Sequence, residues 1–163
     1  MKKLFLTLAL AFVGIFTANA QLWMGGSAGA LVQKDAFAVS VAPEIGYSFS
    51  NSPLTIATGL SFTLNGEGED VYWGLVASPY LRCNLATIEK FNVFLDATAD
   101  FVIPNGGWRV GLQPGIAWMA TKHWTAAARI GFLGYNKSIF LGEEGFQLSF
   151  KAAIPTIGLY YNF

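Results

Sequence analysis

Charge is scarce in this sequence. Asp, Glu, Lys and Arg make up 12% of its 163 residues, about half the roughly 25% of an ordinary soluble domain. Cysteine and histidine occur once each, as Cys83 and His123. A lone cysteine excludes an intramolecular disulfide, and one histidine beside one cysteine forms no metal-ligating cluster. No basic patch is present, which argues against a nucleic-acid partner. Long apolar runs are missing too: after Ala20 no stretch of 18 residues is uninterruptedly apolar, so no segment reads as a spanning helix. Yet hydrophobic residues make up 53% of the chain.

The first 20 residues read as a secretory signal peptide. Lys2 and Lys3 form a positive start, residues 4–18 an apolar core, and Ala18-Asn19-Ala20 an A-x-A cleavage site. An N-terminal membrane anchor is the alternative, but it needs roughly 20 apolar residues and this run is shorter. Gln21 rather than Cys follows the site, which argues against a lipoprotein anchor. The expected mature chain is residues 21–163, 143 residues in a single domain. It carries eight basic and ten acidic side chains, a net charge of −2.

A short pattern recurs along this chain: Ala42-Pro43-Glu44-Ile45-Gly46, Ser78-Pro79-Tyr80-Leu81-Arg82, Gln113-Pro114-Gly115-Ile116-Ala117 and Ile154-Pro155-Thr156-Ile157-Gly158. The prolines are 36, 35 and 41 residues apart, and a period of this size marks an internal repeat. Each repeat reads as two strands with alternating faces. The expected strands are 22–32, 37–49, 54–64, 71–84, 91–103, 108–120, 124–135 and 146–163. Turn residues fill the links. Links 50–53, 85–90 and 121–123 fall on the side of both termini, expected to be periplasmic. Links 33–36, 65–70, 104–107 and 136–145 fall on the other side.

One face of these strands is large and apolar, as in Phe37, Val39, Val41, Pro43, Ile45, Tyr47 and Phe49. The opposite face is small or polar, as in Ala38, Ser40, Ala42, Glu44, Gly46 and Ser48. Packing the large set inside would overfill a barrel and leave its outside almost uncharged. Placing it outside, against lipid, resolves both problems. The fold class expected is therefore all-β: an eight-stranded antiparallel up-and-down transmembrane barrel behind a cleaved signal peptide. Two aromatic girdles fit this. Phe49, Phe91, Trp118, Trp124, Tyr161 and Phe163 mark one rim, and Phe37, Phe62, Trp73, Phe101, Trp108 and Phe146 the other. Mid-strand proline removes a ladder donor, so a β-bulge is expected at each of the four.

The in-strand charges are Glu44, Arg82, Asp96, Asp100, Arg109, Arg129 and Lys151. Six fall on the inward face by alternation; Lys151 joins them if the pattern slips between Phe150 and Pro155. A charge in a narrow lumen must find a partner. Tight hairpins would put Asp96 beside Gly115, Gly115 beside Arg129, and Glu44 between Gly25 and Gly59. The structural reading is a salt-bridged plug; the functional alternative is a proton or ion path. His123 reads as a solvated turn residue, Cys83 as a buried or lipid-facing thiol, and residues 25–29 as small-residue packing. Asp35, Glu67, Glu69, Asp70, Glu143 and Glu144 against Lys34 and Lys137 form an acidic rim. That rim serves solvation or, alternatively, meets divalent cations or a partner.

The signal peptide, the four strand pairs, the x-Pro-x-[Ile/Leu]-Gly-type segments and the terminal Tyr160-Tyr161-Asn162-Phe163 resemble the small outer-membrane β-barrel domain family, porin-like and OmpA/OmpX-type. The resemblance covers the whole mature chain, with Arg82 standing where two other repeats have Gly. It implies residence in the outer membrane of a diderm bacterium. It also implies an assembly signal at Tyr161 and Phe163 for the barrel-assembly machinery. No peptidoglycan-binding domain follows Phe163, unlike the OmpA type, and the long protruding strands of the OmpX type are absent. The expected function is a structural or interaction barrel without enzymatic activity or cofactor, partnered by outer-membrane lipid, with a monomer favoured. A small-solute or ion channel is the alternative. A lipid-acting enzyme is disfavoured, because His123 sits in a periplasmic turn.

Overall fold

The computed structural model describes residues 20–32, 36–67, 70–103, 106–137, 144–149 and 156–163. They form a closed, eight-stranded antiparallel barrel. The first six staves are β1 (Ala20–Val32), β2 (Ala36–Phe49), β3 (Leu54–Glu67), β4 (Asp70–Ile88), β5 (Phe91–Ile103) and β6 (Trp108–Met119). The seventh consists of β7 (Trp124–Arg129) and β8 (Phe132–Lys137), the eighth of β9 (Gly145–Ser149) and β10 (Thr156–Asn162). Neighbours in sequence pair, and β10 pairs with β1 to close the ring. We call the end with the chain termini and the 50–53, 89–90 and 120–123 turns the near end.

Several strands run longer than the turn chemistry suggests. β3 and β4 reach Glu67 and Asp70, which pair directly, so most of the expected 65–70 link is sheet. β4 continues to Ile88, leaving Glu89 and Lys90 as the turn instead of residues 85–90. Asn136, Lys137 and Gly145 are likewise strand residues. The chain saves backbone donors this way, since each added pair satisfies groups a loop would leave to solvent.

The prolines are accommodated in two ways rather than by a bulge at each. The β2–β3 ladder skips Ala42 and Pro43, and the β4–β5 ladder skips Ser78 and Pro79, both without a register change. Each loses pairing only toward the following strand, where the missing N–H would have donated. Opposite Pro114 the register does step by one. Gly115 pairs with Arg129 but Leu112 with Leu133, and the extra residue lies at Ile130–Gly131, where Gly131 has φ 79°. Ile130 donates its amide to the Pro114 carbonyl at 3.1 Å. A further register shift lies at Leu85, away from any proline. Pro155 and the expected slip between residues 150 and 155 lie outside the described residues, as do residues 1–19.

Alternation holds around the ring. Val39, Val41, Ile45, Ile56, Leu60, Phe62, Leu112 and Ile116 are exposed, while Ser40, Glu44, Thr63, Asp96 and Asp100 are buried. Tyr47 departs from its outward set by being buried, its ring edge-on to Phe49 at 5.1 Å. The lumen is not uniformly small and polar as expected: Trp23, Tyr80, Phe94, Phe132 and Tyr160 are buried on the inward parity. Each of four such rings lies over a missing side chain. A Cβ on Gly46 would sit 2.2 Å from Trp23, on Gly115 2.2 Å from Phe94, on Gly158 2.2 Å from Tyr160, and on Gly111 2.6 Å from Phe132.

These contacts separate two glycine positions. The nearest atoms to a Cβ on Gly46 are all side-chain atoms of Trp23 and Ala57, whereas a Cβ on Gly25 would meet the Leu159 carbonyl oxygen at 2.2 Å. Gly46→Ala and Gly25→Ala should each cost roughly 1–3 kcal/mol through overpacking. In double-mutant cycles by urea titration, Trp23→Leu should recover part of the Gly46→Ala loss. Tyr160→Leu should recover little of the Gly25→Ala loss, because backbone cannot be trimmed.

Candidate functional site

The lumen is crossed by a layer of bonded charges. Glu44 sits on β2 between Gly25 and Gly59, its direct partners on the two adjacent strands. The carboxylate accepts from Ser27 Oγ, from Tyr80 Oη at 2.7 Å and from Tyr160 Oη at 3.2 Å. Arg129 reaches it from the seventh stave, donating through Nη2 at 2.9 Å and Nη1 at 3.1 Å. The same guanidinium donates through Nε to Asp96 at 2.8 Å. Asp96 also takes both Nε and Nη2 of Arg82, at 2.8 and 2.9 Å. The chain Glu44–Arg129–Asp96–Arg82 is electrically neutral, and every carboxylate oxygen in it is bonded.

Aromatic rings pack against these cations. The Arg82 guanidinium lies 3.7 Å from the Phe94 ring centroid, and Arg129 lies 4.9 Å from that of Tyr80. On the near side a buried cluster continues through Trp23, Ala57, Ala117, Ala127 and Tyr160, with Trp23 edge-on to Tyr160 at 4.9 Å. The side chains of the charge layer and the rings beside it are all buried.

Asp100 and Arg109 make a separate pair nearer the far end. Arg109 donates to Asp100 Oδ2 through Nε at 2.9 Å and through Nη2, and lies 4.4 Å from the Phe132 ring. The seventh charge of the sequence set, Lys151, lies outside the described residues. So do Lys34, Asp35, Glu69 and Glu143 of the acidic rim.

One neighbour differs from the tight-hairpin expectation. Gly115 does lie beside Arg129, but its partner on β5 is Phe94, while Asp96 pairs with Gln113. The β5–β6 turn is centred one residue earlier than a symmetric closure of residues 104–107: Val102 donates to the Gly107 carbonyl at 2.8 Å, and Gly106, at φ 73°, donates to the Val102 carbonyl at 3.1 Å. That moves β5 by two residues against β6 and puts a ring, rather than a carboxylate, over Gly115.

Sequence reasoning did not single out Ser27, Tyr80, Phe94 or Tyr160 as members of this layer. The available signal was parity: Tyr80 is two residues before Arg82, and Phe94 two before Asp96.

The remaining candidates lie elsewhere. His123 is exposed in the β6–β7 turn, its Nδ1 3.0 Å from the Asn162 carbonyl oxygen and its ring stacked on Tyr161. Tyr161 also meets Trp124 and Phe163 edge-on, and Phe163 donates its amide to Leu22 at 3.0 Å across the closing seam. Cys83 is a free, half-buried thiol on β4. Among the described residues no three His, Cys, Asp or Glu side chains converge to hold a metal. No protein-family model matches the chain, and no curated protein matches it.

The cations held by the two acids differ in solvent access, and that difference is measurable. The Arg82 and Arg129 side chains beside Asp96 are 10% and 8% exposed, whereas the Arg109 side chain opposite Asp100 is 23% exposed. Asp96→Ala should destabilise the barrel by roughly 3–5 kcal/mol, because it strands buried positive charge. Asp100→Ala should cost less, because the Arg109 left behind keeps more solvent contact. Denaturant titration of both variants checks this; equal small losses would mean a lumen wet enough to screen the layer.

Proposed function

We propose that this chain is an integral β-barrel of a bacterial outer membrane, exported by its N-terminal segment, with a structural or interaction role and a closed lumen. One observation carries the reading: large apolar side chains cover the outside of the closed ring. Soluble monomers rarely expose contiguous apolar patches beyond a few hundred Å². On β6 the band runs from Trp108 to Trp118, ten residue steps. At about 3.4 Å per residue and a tilt of about 40° this spans roughly 26 Å, matching the ~25 Å apolar band of membrane barrels. The girdle residues are exposed or half-exposed at both ends.

The closed lumen favours a non-conducting barrel over the channel reading. Eight strands enclose little more than side-chain space, and the bonded layer and its rings occupy it. An enzymatic role gains no support from His123, whose Nδ1 contacts a backbone carbonyl. The C-terminal strand, with Tyr161 and Phe163 at the near rim, is the part the barrel-assembly machinery would read.

Purified protein refolded into liposomes tests this reading. It should show heat-modifiable mobility on a detergent gel, no solute flux, no lipid hydrolysis and no steady current in planar bilayers. Reproducible single-channel currents would replace the structural role with a channel, and failure to insert would remove the membrane reading. In cells, deleting Phe163 should lower the assembled fraction while leaving export intact, measured as the heat-modifiable share of the exported protein.

A further inference from the structure

The near rim carries a feature that the lumen and the apolar band do not use. Lys90 and Lys122 are exposed there, on turns flanking the end of β6. The Met119 amide donates to the Lys90 carbonyl at 2.8 Å, which ties the first turn to the strand that leads into the second. Among the described residues neither lysine takes part in an ion pair. Phe91 follows Lys90 and pairs with Trp118, and Trp124, two residues after Lys122, begins the next stave. All three rings are exposed.

The turn that presents Lys90 is itself informative. Glu89 and Lys90 connect Ile88 to Phe91, and Glu89 takes φ 53°. Glycine or asparagine would adopt that conformation at lower cost. A charged pair holds the turn instead, and Glu89 is the only carboxylate in the two turns. The two turns keep a net positive charge, whereas the far-rim links are acidic in sequence.

We propose that this rim is a docking surface for the headgroup of an anionic phospholipid in the leaflet at the near end. Lys90 and Lys122 would meet the phosphate oxygens, while Phe91, Trp118 and Trp124 would take the glycerol and upper acyl region. The exposed rings on the strands that the lysine turns join favour a lipid over free phosphate, which has nothing to place against them. The inference rests on the membrane reading above.

Native mass spectrometry of the detergent-purified barrel, after equal exposure to phosphatidylglycerol and phosphatidylcholine, tests it. The wild-type protein should retain phosphatidylglycerol at least about fivefold over phosphatidylcholine. This estimate follows from roughly 1 kcal/mol per surface cation near anionic lipid. Lys90→Gln with Lys122→Gln should bring the ratio to parity, and Lys137→Gln at the far rim should leave it unchanged. An unchanged preference in the double variant, no preference in the wild type, or complete displacement of lipid by millimolar inorganic phosphate would overturn the proposal. Insertion into phosphatidylcholine vesicles, run in parallel, separates the two failures. A barrel that inserts without headgroup preference loses only this inference, and one that does not insert loses the membrane reading as well.

Discussion

A guanidinium cannot sit inside a barrel without partners, and the lumen is arranged around that constraint at Arg129. Its five N–H groups would be left without water, at a cost of several kcal/mol. The structure answers with Asp96 on one side, Glu44 on the other and the Tyr160 hydroxyl at 3.1 Å. Those partners bring Arg82, Tyr80 and Ser27 with them. Six staves thereby place a side chain in one bonded layer. The other two, β3 and β6, contribute Gly59 beside Glu44 and Gly115 beside Arg129. A larger residue at either point would occupy space the layer needs.

The same arrangement inverts the usual division of labour in a folded domain. Polar contacts and a few aromatic rings hold the inside, and most of the large apolar side chains lie outside. Apolar burial therefore contributes little to the barrel until something covers its outer wall. In the proposed membrane setting, lipid supplies that cover and the lumen supplies specificity. Backbone pairing around a ring without edges is the remaining requirement, and the β1–β10 ladder meets it.

Much of this was legible in the sequence because parity is robust. A period of two survives any error in loop length, so Glu44, Arg82, Asp96, Asp100, Arg109 and Arg129 could be placed on one face without knowing a single turn. Register is more fragile. Glu44 between Gly25 and Gly59 follows from tight hairpins on both sides of β2. Asp96 beside Gly115 fails because the β5–β6 turn is centred one residue earlier, and the resulting two-residue shift preserves parity while exchanging neighbours. The inward rings were missed for another reason: a face judged by its majority reads as small and polar even when Trp23, Tyr80 and Phe94 interrupt it. Proline carried a third ambiguity. It removes one donor, and a ladder can omit that bond without inserting a residue, as it does at Pro43 and Pro79.

One construction appears twice in the lumen and explains why the cations described there are arginines. Asp96 on β5 binds Arg82 from β4, Arg82 lies against Phe94, and Phe94 rests over Gly115. Further along β5, Asp100 binds Arg109 from β6, Arg109 lies against Phe132, and Phe132 rests over Gly111 and Gly134. The carboxylate takes the edge of the guanidinium and the ring takes its face. An ammonium has no flat face, so lysine could serve the carboxylate or the ring but not both in this geometry. The glycine beneath each ring gives it room in a lumen of fixed width. Charge, ring and missing side chain thus form one unit, and β5 supplies the acid of both copies while its neighbours on either side supply the bases.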